Sequence, residues 1–234
     1  MWHDADSGID AAYLNGVEAV HSIASSYSPE EWLQESTCRG WRAVDVLRHL
    51  YGVVLEAQWI LRTIPRHGPR ELMTERQLNH FNCQMLKIMP QREPFDQLLR
   101  FESAATHLPY QARDILDADC YIHEGRIWSV REGIQFLAVE WHLHAWDLAA
   151  TISRDYLPTS AAALARIFRA GPTRLPPPAG DNWDDLLAAA GRRYPPGGAK
   201  AGAPADADLA RRRSHLPRVG LASGHYLSIT DPVG

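Results

Sequence analysis

Glu140 and His144, in the run Val139-Glu140-Trp141-His142-Leu143-His144-Ala145-Trp146-Asp147-Leu148, have the residue types and the spacing to do chemistry. On a helix, residues four apart stand one turn from each other and about 40° apart around the axis, so both share one face. A carboxylate and an imidazole placed this way can grip one metal ion. His142 lies about 200° from Glu140, on the polar side with Arg131 and Gln135, and is left out of that site. A second stretch offers a third ligand, His49. Three protein ligands leave one coordination position open, as a catalytic metal requires.

Helices must position these groups. Ile134, Leu137, Trp141, Ala145, Leu148 and Ile152 form the apolar stripe of a helix spanning about Val130 to Ser153, and Glu140 and His144 flank its edge. A carboxylate facing neighbouring helices is costly unless it is paired or metal-bound. The helix from about Ala43 to Thr63, stopped by Pro65, repeats the arrangement. Its stripe is Val46, Leu50, Val54, Ala57 and Leu61, with His49 at the edge beside Val53, Glu56 and Ile60. Further helices are expected over about Ile9 to Ser25, Glu71 to Ile88 and Pro94 to Arg113, with a short turn opened by Ser28-Pro29-Glu30-Glu31. Asp117 to Ser129 reads as a loop with a short extended piece at Tyr121-Ile122. Ser160 to Ala170 and Asp181 to Gly191 read as short helices, Asp181 as N-cap and Gly191 as stop.

The whole is an all-α chain: a helical bundle over 1–155, a short helical extension over 156–194, and a Pro-, Gly-, Ala- and Arg-rich tail over 195–234 that is expected to be disordered. With 234 residues, 45% hydrophobic and 22% charged, the composition is that of a soluble globular protein. A net charge of -4 argues against nucleic acid or an anionic membrane as partner. No signal peptide opens the chain and no apolar run reaches the length of a membrane span. Three scattered cysteines, Cys38, Cys83 and Cys120, suit a reducing cytoplasm.

Cys38-Arg39-Gly40-Trp41-Arg42-Ala43-Val44-Asp45-Val46-Leu47-Arg48-His49-Leu50 resembles the C-x-G-W…D-x-x-x-H signature of the mycothiol-dependent maleylpyruvate isomerase family. That family belongs to the DinB-like superfamily of metal-binding four-helix bundles. Glu140-x-x-x-His144-x-Trp146-Asp147-Leu148 resembles its second signature, in the family's order and at its usual distance. The likeness covers about residues 8 to 155, with a fainter echo at Asp181 to Arg192. It implies a divalent ion, usually zinc, on His49, Glu140 and His144, with mycothiol bound as a thiolate at the open position. The thiolate would attack a small-molecule electrophile, in transfer or isomerisation. The isomerase proper carries a second domain that supplies a catalytic arginine. About forty structured residues are expected after the bundle here, and none of Arg166, Arg169, Arg192 and Arg193 aligns with that role. A metal- and thiol-dependent transferase is therefore a safer expectation than the isomerase itself.

The same three ligands also suit a hydrolase working through a metal-bound water, or a metal-binding module without catalysis. A bundle in which Glu140 simply pairs with His49 or His144 meets the pattern too. Cys38 is read as a small buried residue beside the Gly-Trp turn rather than a nucleophile. Asp45 is read as a helix cap. Asp147 either orients a ligand or the thiol, or anchors a neighbouring loop. His80, His123, Arg126 and Arg131 are weaker candidates for the pocket, and a homodimer through the bundle faces is compatible with the pattern.

Overall fold

A computed structural model describes residues 7–192, with side chains from residue 11 onward. Four helices make the bundle: α1 (Ser7–Ala24), α2 (Ala43–His67), α4 (Pro94–Ala112) and α5 (Val130–Thr151), while α3 (Glu75–Ile88) packs outside α2. The extension contributes α6 (Ala161–Ala170) and α7 (Trp183–Ala189). The protein is all-α in class, as expected. No described helix is long and apolar enough to cross a membrane. The expectations for the tail fall on residues outside those described.

Trp141 sits at the centre of the core. Its ring meets Tyr13 of α1 and Phe101 of α4 edge-on, at 6.0 and 5.2 Å between centroids. The Tyr13 hydroxyl donates to the Ala105 carbonyl at 2.8 Å, which ties α1 to α4. Gly16 lets α1 approach α5 closely, since a Cβ there would lie 2.8 Å from Trp141 Cβ. α5 is enclosed almost throughout: every residue from Phe136 to Ala149 is buried. This overturns the expected polar side for His142. Its ring is buried, donating from Nε2 to the Ala12 carbonyl (2.9 Å) and pairing through Nδ1 with the Tyr156 hydroxyl. A helix covered on one side by α1 and on another by the extension has no solvent face for a helical wheel to find.

Local chemistry corrects several boundaries. α2 runs past Pro65 to His67, because proline forfeits only its own N–H bond and the helix ends within the same turn. α3 starts at Glu75 rather than Glu71: Thr74 and Gln77 form a reciprocal capping box, and Arg70–Glu71 is drawn into a strand. Asp119 to Ser129 is a β-hairpin, not a loop. β2 (Asp119–His123) pairs antiparallel with β3 (Arg126–Ser129), and β1 (Arg70–Glu71) adds parallel to β2. Glu124 (φ 49) and Gly125 (φ 80) form its two-residue left-handed turn. The short Ser28 turn is a 3-10 helix (Glu31–Leu33), stapled by Ser28 N–H on the Glu31 carboxylate at 2.7 Å. α7 is capped by Asn182, whose Oδ1 accepts from Asp185 N at 2.8 Å. Asp181 pairs with Arg169 instead.

Candidate metal centre

The site lies where the second turn of α2 faces the C-terminal half of α5. α2 is aimed by the turn before it. Trp41 N–H donates to the Cys38 carbonyl at 3.0 Å across Gly40 (φ 80), and Ser36 clasps the Trp41 carbonyl through both its N–H and its hydroxyl. Asp45 accepts from Arg42 N–H at 3.0 Å, capping α2 as its sequence position suggested. The turn therefore delivers two things. The Trp41 ring packs on His49, centroids 5.0 Å apart, and Thr37 and Cys38 are brought against Asp147 of α5.

His49, Glu140 and His144 converge: one ligand atom from each lies within 4.8 Å of the other two, and all three side chains are buried. His144 Nε2 and Glu140 Oε2 are 3.6 Å apart. Two ligands at zinc distance in a tetrahedral site would be separated by about 3.3–3.5 Å. His49 Nε2 and Glu140 Oε2 are buried with no hydrogen-bond partner among the described residues. Leaving such atoms unmet costs on the order of 1–3 kcal/mol each, and a cation between them removes that cost. The donor set, two imidazoles and one carboxylate, suits zinc.

The electrostatics separate the groups. Burial, then the neighbouring charges of His144 and Arg192, depress His49 well below its ordinary value, so its lone pair is free at neutral pH. Burial raises Glu140 to about 8, with Arg192 opposing and Asp147 adding to the shift. Asp147 goes the other way. Burial pushes its carboxyl up, but the Arg192 charge and the His144 hydrogen bond outweigh that and hold it well below the usual carboxylate range. An ionised carboxylate only accepts, so His144 Nδ1, 2.9 Å from Asp147 Oδ2, donates to it, and Nε2 is the ring nitrogen turned toward Glu140.

A second possible ligand set, Cys38, His144 and Asp147, shares His144. It is the poorer one. Asp147 is already committed to Arg192, and burial followed by the Asp147 charge drives the Cys38 thiol well above its ordinary value. Cys38 thus stands as a buried thiol donating to Asp147 Oδ2 at 3.3 Å, not as a nucleophile.

Residues 14–149 match the family model described as the mycothiol maleylpyruvate isomerase N-terminal domain. The chain belongs to this family. No curated protein and no solved structure matches it. Within this member of the isomerase family, the other candidates lie apart from the three converging residues. His80 is exposed on α3, and His123 pairs with Glu71 at 2.9 Å. Arg126 holds the Ala170 carbonyl, and Arg131 pairs with Asp117. Residue-level reading of the sequence missed Thr37, and it weighed Arg192 only as an arginine with no aligned role, not as a partner of Asp147. The signal for Arg192 was its place directly after the α7 stop, Gly191. A groove of about 460 Å³ opens at the same end of the bundle, lined among others by Tyr27, Trp32, Arg42, Arg48 and Phe95.

Proposed function

We propose that this chain holds one divalent ion, zinc by its donor set, on His49, Glu140 and His144. With mycothiol as the low-molecular-weight thiol, it would carry out thiol transfer or isomerisation on a small electrophile. One observation carries the reading: three buried ligand atoms of the right types converge, and two of them have no hydrogen-bond partner among the described residues. Bound there, such an ion supplies a Lewis acid that stabilises a thiolate at neutral pH.

The chain's own residues do the rest. Asp147 fixes the His144 tautomer, and Trp41 walls off His49 from water. Cys38, kept protonated, does not compete as a nucleophile. We assign the groove beside Arg48 to the parts of thiol and electrophile that do not react. Free Cys38, Cys83 and Cys120 accord with a reducing cytoplasm, where such a thiol pool is kept.

Elemental analysis tests the metal. About one ion per chain is expected in the wild type, and its loss in His49→Ala, Glu140→Ala and His144→Ala. Consumption of mycothiol across a panel of electrophiles, dependent on that ion, then tests the chemistry. A wild type that takes up no ion after reconstitution with zinc overturns the proposal. A loaded protein inert toward every thiol and electrophile leaves a binding module instead.

A further inference from the structure

The family match ends at residue 149, yet a residue far beyond it reaches Asp147, the carboxylate behind His144. α7 closes with two hydrogen bonds, Arg192 N–H to the Leu187 carbonyl (2.8 Å) and Gly191 N–H to the Ala188 carbonyl (3.1 Å). With Gly191 at φ 74, this is a Schellman ending, which reverses the chain within two residues. The reversal turns Arg192 inward, and it is buried against Asp147. Its Nε lies 3.1 and 3.0 Å from the two carboxylate oxygens, and Nη2 lies 2.6 Å from Oδ2. Thr37 Oγ1 donates to Oδ1 at 2.5 Å. Asp147 is therefore held from two regions, the turn before α2 and the end of α7, while Oδ2 accepts from His144 Nδ1.

We propose that the extension completes the metal centre. Arg192 is a positioning residue that locks the Asp147 carboxylate, and through it the His144 ring, so that ion binding and docking of the α7 end are coupled. This rests on the metal-binding reading above. The coupling is geometric. A planar guanidinium fork fixes the orientation of a carboxylate in a way that a point charge does not. The fixed carboxylate fixes the orientation of the His144 ring, and with it the direction of Nε2 toward Glu140 and His49. Groups that orient a metal-ligating histidine from behind typically account for about 10–100-fold in metal affinity. Coupling is reciprocal, so an ion that prefers the locked ring must also hold the extension down.

The test uses the whole chain. Zinc affinity is measured by competition with a chromophoric chelator for wild type, Arg192→Gln and Arg192→Lys, and hydrogen exchange over residues 183–192 is followed in wild type with and without zinc. The expected result is an affinity loss of about 10–100-fold in Arg192→Gln, with Arg192→Lys between it and wild type. Zinc should also slow exchange in the α7 end. Cobalt-loaded Arg192→Gln should show an altered visible spectrum at saturation, which a loss of stability alone would not produce. Equal affinities in wild type and Arg192→Gln, or an α7 end whose exchange ignores zinc, overturn the inference and leave the metal site standing. A wild type that binds no zinc sinks both. Should Arg192→Gln fail to fold, the exchange measurement on wild type still decides.

Discussion

Glu140 and Asp147 are carboxylates on one helix, each 1% exposed, and their surroundings push them in opposite directions. Seven residues separate them, close to two full turns, so they lie on nearly the same side of α5 about 10 Å apart. Asp147 is met by a guanidinium, a hydroxyl, a thiol and an imidazole N–H. Glu140 Oε2 meets no donor among the described residues. Depth of burial therefore does not distinguish the two carboxylates; the supply of donors does. The fold satisfies one acid in full and leaves the other open toward two histidines, as a site built for a cation would.

Substitution separates the two most sharply. Asp147→Ala strands the buried Arg192 charge, and urea denaturation of metal-free protein should show a loss of about 3–5 kcal/mol. Glu140→Gln removes a carboxyl that is largely neutral in the metal-free protein at pH 7. It should change stability by no more than about 1 kcal/mol while metal content falls from about one ion per chain to almost none. Equal destabilisation by the two changes would mean that Glu140 has a protein partner, and the contrast would collapse.

pH probes the same contrast with opposite signs. The folded pKa of Glu140, about 8, lies above its ordinary 4.5. Its contribution to metal-free stability is therefore fully present below about 4.5 and is lost as pH rises toward and through 8. Asp147 is depressed, so its contribution is present above its ordinary 3.8 and fades only as pH falls through the folded value. An ion must displace the Glu140 proton below pH 8. Apparent zinc affinity should thus climb about tenfold per pH unit from 6 toward 8 and flatten above, with close to one proton released per ion at the lower end. Calorimetry in buffers of different ionisation enthalpy reads that proton directly. An affinity independent of pH from 6 to 8 would show that Glu140 is already ionised.

The pairing of Glu140 with His144 was legible because helical spacing is a local property: they share a face whatever surrounds α5, whereas His49 was joined to them by the family resemblance. The bundle helices were legible for the same reason, through Val46, Leu50 and Val54 or Leu137 and Trp141. What the sequence concealed was set by partners distant along the chain. His142 looked solvent-facing until α1 and Tyr156 covered it. The β-hairpin is too short to show a period. Asp147 stood undecided between orienting a ligand and anchoring a loop, and the structure has it facing His144 Nδ1 and holding Thr37 of the turn before α2. Its partners are Thr37, 110 residues upstream, and Arg192, 45 downstream, and no periodicity links those positions.

The smallest expected effect tests whether the Asp147 side of the contrast depends on backbone geometry at the end of α7. Gly191 holds φ at 74, in the left-handed region that a side chain resists. Gly191→Ala should cost about 1 kcal/mol, a shift in the denaturation midpoint well short of that for Asp147→Ala. Nothing about the Glu140 side changes directly, so metal stoichiometry should stay near one. The strain instead loosens the two hydrogen bonds that turn Arg192 inward, and zinc affinity should drop by a few-fold while hydrogen exchange over residues 183–192 quickens. If exchange there quickens and zinc affinity is untouched, the α7 end and the metal ligands are neighbours without being coupled. The satisfaction of Asp147 would then belong to folding alone.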